Sequence, residues 1–159
     1  MVSGQPNVRE SCHERTRQQT AGHGVLPAFL KGDIRSLLDR CDDNADWVER
    51  DSDCIPFAGT YHGKAEIADF FTKLANGAEA LSFTTREFIA EGDKVVVVGE
   101  ATWLAKPTGR SFDSPWVHVL TVRNGKIARF EAYNDTAPAE RAFRTDLPAQ
   151  ASMATPMRH

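Results

Sequence analysis

Two hydrophobic periods divide the chain. Before residue 77 the apolar positions recur at helical spacing. In "DIRSLLDRC", Ile34, Leu37, Leu38 and Cys41 fall on one helical face, and Asp33 is placed to cap the first turn. In "GKAEIADFFTKLANG", Ile67, Phe70, Phe71 and Leu74 form a second, stronger stripe that predicts a helix ending at Asn76-Gly77. Upstream, "VLPAFLKGD" offers a short apolar face of Leu26, Phe29 and Leu30, which Pro27 and the nearby glycines keep from growing into a long helix. "DNADWVERD" predicts a short strand from about Asp46 to Arg50, and "PFAGTYHG" a loop leading into the long helix.

After Gly77 the period drops from 3.6 to 2. "LSFTTREFIAE" alternates, Gly92-Asp93 turns the chain, and "KVVVVGEATWLAK" is a long β-branched run closed by Pro107-Thr108-Gly109. "WVHVLTV" and "KIARFEAY" are joined by Arg123-Asn124-Gly125, and Asn-Gly is the strongest short-range hairpin signal. Helices first and a four-strand meander last predict an α+β fold with helices covering one face of a curved antiparallel sheet. Residues 1–21 and 144–159 are polar or irregular, so they are expected to be mobile arms flanking one domain over residues 22–143.

Strand alternation selects candidate site residues. Trp116 and His118 share one face of "WVHVLTV", and Trp47 and Glu49 share one face of "DWVER". Two tryptophans beside a carboxyl and an imidazole suit a small-molecule pocket, apolar with a few orienting polar groups. Glu49 in such a pocket would be a general base with a raised pKa, and His118 a donor or acid/base to a bound oxygen. The opposing readings are a surface glutamate in an acidic stretch and a half-buried histidine satisfied by a neighbouring strand. Trp103 is a pocket wall or core residue. Asp135 reads best as the cap of "TAPAERAF".

Composition narrows the field. The 159 residues carry a net charge of −3 without clustering, which argues against nucleic-acid binding. No apolar run reaches the roughly 18 residues of a membrane span. The first residues lack the apolar core of a secretory signal, and three cysteines without C-x-x-C spacing read as free thiols, so a cytoplasmic location is expected. No metal or phosphate-binding motif is present, so neither metal nor cofactor is expected.

"FLKGDIRSLLD", "FAGTYHGKAEIADFF", "SFTTREFIAEGDKVVVVGE" and "FDSPWVHVLTVRNGKIARFEAYNDTA" resemble, in order and spacing, the SnoaL-like and ketosteroid-isomerase-related proteins of the nuclear-transport-factor-2-like superfamily. The resemblance implies a cone, a cystatin-like α+β roll whose bent sheet wraps about three helices around an apolar pocket. It places Glu49 at the position of the steroid isomerases' aspartate base and His118 at that of their oxyanion-binding aspartic acid. Val25 stands where they carry a tyrosine, and Ala132 where related epoxide hydrolases carry an aspartate. By family position Phe57 and Tyr61 line the pocket mouth and Asn134 faces the interior. The implied partners are a small apolar, polyketide- or steroid-like molecule and a second copy of the chain, dimerised through the outer sheet face. Three functions follow: a cofactor-free isomerase, cyclase, dehydratase or hydrolase; a non-catalytic binder; or a dimeric scaffold.

Overall fold

The computed structural model describes Phe29 and residues 32–145. The expected N-terminal arm, the position of Val25, and all but two residues of the expected C-terminal arm lie outside that range. Asp33 caps helix α1 (Ile34–Asp39), its Oδ1 accepting from the Ser36 amide at 3.1 Å. The chain then enters strand β1 (Cys41–Val48) at once. This strand begins five residues earlier than the pattern predicts. Cys41, Ala45 and Trp47 face inward while the acidic residues between them mostly face out, and an irregularity in pairing between Cys41 and Asp46 breaks the alternation. Cys41 is therefore a buried strand residue rather than the end of a helical stripe, with its Sγ against Leu37 O at 3.5 Å.

The segment expected as a loop contains a short strand, β2 (Thr60–His62), antiparallel to β1 with Tyr61 opposite Trp47. Helix α2 (Gly63–Gly77) buries Ile67, Phe70, Phe71 and Leu74, the predicted stripe. Full burial of a residue such as Ile67 contributes about 1.5–3 kcal/mol. Strands β3 (Ala78–Glu91), β4 (Lys94–Ala105), β5 (Arg110–Arg123) and β6 (Lys126–Asn134) form the meander. Asn124 and Gly125 both take positive φ, 52° and 74°, which a right-twisted two-residue hairpin requires. Helix α3 (Thr136–Phe143) follows, with Asp135 accepting from the Ala137 amide at 3.1 Å.

The strand order is β2-β1-β6-β5-β4-β3. All neighbours are antiparallel except β1 and β6, so the sheet is mixed rather than antiparallel throughout. The cause is topological. The chain crosses over through α2 and the meander and returns beside β1 in the same direction. Register shifts in β3, at Ala80/Ser82 and Thr85/Glu87, and between β5 and β6 accompany the bending of the sheet, which stays open. Its concave face holds α2, through Trp47 against Phe70 and Phe71, and α3, through Phe143 against Phe112 and Phe57. No helix among the described residues is long and apolar enough to cross a membrane.

Candidate active site

The space between sheet and helices is not filled. A cavity of about 340 Å³ lies there, walled mostly by aromatic and aliphatic side chains. The sheet delivers its wall in ranks, one residue per strand. Val48 pairs with Glu131, so Glu49, the next residue, sits level with Ala132. Ala132 pairs with His118, His118 with Val97, and Val97 with Phe88. All five inward residues of this rank line the cavity. Glu49 and His118 are thus two strands apart, about 10 Å between backbones, and Ala132 leaves the gap between them open.

Glu49 donates its amide to Gly59 O at 2.9 Å, which fixes the backbone just beyond β1. Its Oε1 accepts from Trp47 Nε1 at 3.3 Å. Desolvation pushes its pKa from 4.5 up to about 8, against smaller lowering effects from the Trp47 hydrogen bond and the Arg50 charge. His118 is flanked on its two neighbouring strands by Val97 and Ala132, neither of which offers a polar side chain. Its ring stacks on Trp116 at 4.2 Å and meets Phe130 at 4.7 Å. Burial lowers its pKa from 6.5 to about 3. At neutral pH the cavity therefore holds a largely protonated carboxyl, with a minor ionised fraction, and an uncharged imidazole.

The tryptophans have distinct roles. Trp47 is stacked on Phe130 at 3.8 Å and backs the wall while orienting Glu49. Trp103 lines the end where Phe29 and Phe83 gather. Trp116 lies over Gly99, its pairing partner, where an added Cβ would come within 2.3 Å of Cζ2. Phe57 lines the cavity from the loop before β2, edge-on to Phe70. Asn134 lines it from the end of β6 and donates to Ser114 Oγ at 3.5 Å. Tyr61 does not line it. Phe70 stands in front of the Tyr61 ring at 5.3 Å, and the hydroxyl donates to Ala58 O.

Several wall residues carry little local signal in the sequence. Arg50 borders the cavity, with its guanidinium 4.4 Å over the Tyr133 ring. Thr85 and Ser114 add hydroxyls. Gly99 had a legible cue, since a lone glycine inside a valine-rich strand marks a close approach. No group of three His, Cys, Asp or Glu side chains among the described residues is arranged to hold a metal ion.

The model of the SnoaL-like domain matches residues 24–130. An NTF2-like protein from Burkholderia xenovorans LB400 is 31% identical, with 82% of this chain and 98% of that one covered and a TM-score of 0.75. An NTF2-like protein of unknown function from Burkholderia pseudomallei K96243 is 26% identical, covering 81% and 98%, with a TM-score of 0.74. TerC, co-crystallised with polyporic acid, is 27% identical, covering 80% and 98%, with a TM-score of 0.71. No curated protein sequence matches the chain.

Proposed function

This chain belongs to the SnoaL-like domain family, and on that premise we propose that it is a cofactor-independent enzyme that moves a proton on a small apolar molecule. In this reading the ionised form of Glu49 removes a proton from carbon next to a carbonyl. The electron pair moves onto the carbonyl oxygen, where the neutral His118 ring donates a hydrogen bond to the developing charge. Glu49 then returns the proton at the same or a neighbouring carbon. Isomerisation, aldol-type cyclisation and dehydration all share that first step.

One observation carries the reading. Glu49 and His118 share a rank on the wall of one apolar cavity, and the carboxyl there has a proton affinity moved close to neutrality by desolvation. A base with pKa near the working pH is both available and strong. The co-crystallisation of TerC with polyporic acid supports a small organic ligand for this fold. An open cavity speaks against a pure scaffold.

The rival reading is a binding protein using the same pocket without chemistry. It is favoured by the near-neutrality of Glu49 and His118 at pH 7, which leaves Arg50 as the one charged side chain among the described wall residues. Deuterium exchange at the α-carbon of small cyclic ketones, 1-tetralone among them, followed by NMR, separates the two. We expect exchange above the buffer rate. Glu49→Gln should return it to that rate while affinity, read by tryptophan fluorescence, stays within a few-fold. His118→Ala should slow it by about 10²-fold, the size of losing one donor to an oxyanion. Binding that both substitutions weaken, with no exchange in any protein, would make the chain a binder.

A further inference from the structure

Most of the cavity wall is sheet or helix, but Ile55, Phe57 and Ala58 line it from the connection between β1 and β2. That connection is closed at its base, where the Glu49 amide donates to Gly59 O at 2.9 Å and Gly59 takes a positive φ of 107°. Compact surface loops whose ends meet in this way are frequent at functional sites. Among the described residues, the backbone of residues 51–58 forms a single backbone–backbone hydrogen bond, Ala58 to Ile55, which lies inside the segment. Side chains therefore hold the segment to its surroundings. Arg50 anchors its start over the Tyr133 ring, and the Tyr61 hydroxyl donates to Ala58 O at its end. Between these points Pro56 rests against Gly77 at the end of α2, and Phe57 meets Phe70 and Phe143 edge-on. Ser52 Oγ donates to Glu140 Oε1 at 2.8 Å, the one side-chain hydrogen bond among the described residues that joins this segment to α3. The same Oγ accepts from the Cys54 amide at 3.2 Å, so one hydroxyl both shapes the segment and ties it down. α3 itself lines the cavity through Thr136 and Ala139.

We propose that residues 51–58 are a lid through which ligand enters and leaves the cavity, with the Ser52–Glu140 hydrogen bond as its latch. The sheet and α2 cannot part without breaking ladders of backbone hydrogen bonds. The lid needs to lose only one side-chain hydrogen bond and a few apolar contacts, so it is the part of the wall that opens at least cost. Gly59 is the hinge at one end, where a backbone free to take positive φ can absorb the swing. Glu49 stands at the other end. Its amide bond to Gly59 O lies below both hinges, so the carboxyl keeps its place on the wall while the lid moves. The lid takes the cavity as a ligand site, which the enzyme and the binder readings share, and it does not depend on proton transfer.

Stopped-flow tryptophan fluorescence with 1-tetralone reads the entry and exit rates. Ser52→Ala and Glu140→Ala should each raise both rates about fivefold, the factor that one net hydrogen bond makes in an equilibrium, and leave the dissociation constant within about twofold. The double variant should match either single one, because all three lose the same bond. Damage to the site itself would instead weaken binding and raise the exit rate alone. Alkylation of Cys54, a half-buried thiol within the lid, follows opening in the ligand-free protein, and the buried Cys41 is the internal reference for global unfolding. Resolved by mass spectrometry, Cys54 labelling should speed up about fivefold in Glu140→Ala, with Cys41 unchanged. Entry rates equal to the wild type in both variants, or Cys54 labelling equal to the wild type, would overturn the lid. A weakened affinity with an unaltered entry rate would overturn it as well. Failure of the ketone to bind would remove the ligand reading of the cavity, and the lid would then stand or fall on Cys54 alkylation. Gated binding with no α-deuterium exchange in any protein would keep the lid and remove the catalysis.

Discussion

Between pH 4.5 and about 8, folding takes up a proton at Glu49, because the carboxyl is ionised in the unfolded chain and protonated in the cavity. Stability from this group is therefore highest below pH 4.5, falls as pH rises through the window, and levels off above 8. His118 acts in the opposite sense. It is protonated when unfolded below 6.5 and neutral when folded down to about 3, so acid costs stability across that range. Urea denaturation of Glu49→Gln should show a variant that gains on the wild type steadily from pH 5 to 8, with no further gain above it. Trp47→Phe removes the donor to Glu49 Oε1, so the carboxyl pKa should rise further, read from its ¹³C shift. Gly99→Ala would set a methyl 2.3 Å from both Thr84 O and Trp116 Cζ2, and should cost about 1–3 kcal/mol as the indole is pushed into the cavity. Glu49, His118, Trp116 and Asn134 could be assigned to the interior from alternation and family position. Tyr61 could not be placed correctly, because nothing in its local pattern says that Phe70 stands in front of it. Ser114 and Thr85 are hidden for a related reason, since a small hydroxyl residue on a strand reads the same on either face.

Elements were legible where local chemistry decides them. The α2 stripe needs only helical spacing, and the β5–β6 turn needs only a residue pair that tolerates positive φ. Asp135 belongs with these, as an N-cap bonded within its own first turn. Asp135→Ala should cost about 1 kcal/mol in chemical denaturation. It should also loosen the cavity rim, since Thr136 starts the same helix. Elements set by distant partners were harder to read. β1 carries Asp42, Asp43 and Asp46, which conceal the inward Cys41, Ala45 and Trp47, and its pairing slips once along the way. β2 is three residues long and exists because β1 offers it an edge. The parallel contact of β1 with β6 joins segments about eighty residues apart in sequence, and no local pattern encodes it.

At the scale of the molecule, the open sheet has a second face. Val96 and Val119 pair across it, as do Val98 and Val117, and all four are half-buried in the single chain, with Ile89 and Tyr133 exposed beside them. An apolar sheet face of this kind favours a cover, and we propose a second copy of the chain. Light scattering should give a dimeric mass at micromolar concentration, and Val98→Asp with Val117→Asp should reduce it to that of a monomer. A monomeric wild type would refute that assembly. The cavity opens on the other face, so the proton-transfer account stands apart from it. The pH dependence of α-deuterium exchange into a bound cyclic ketone, corrected for the buffer reaction, tests that account most directly. If ionised Glu49 is the base, the rate should rise with pH to a plateau with its midpoint near 8, and Glu49→Gln should abolish that rise. A midpoint near 4.5 or near 6.5, or a profile unchanged in Glu49→Gln, would contradict it.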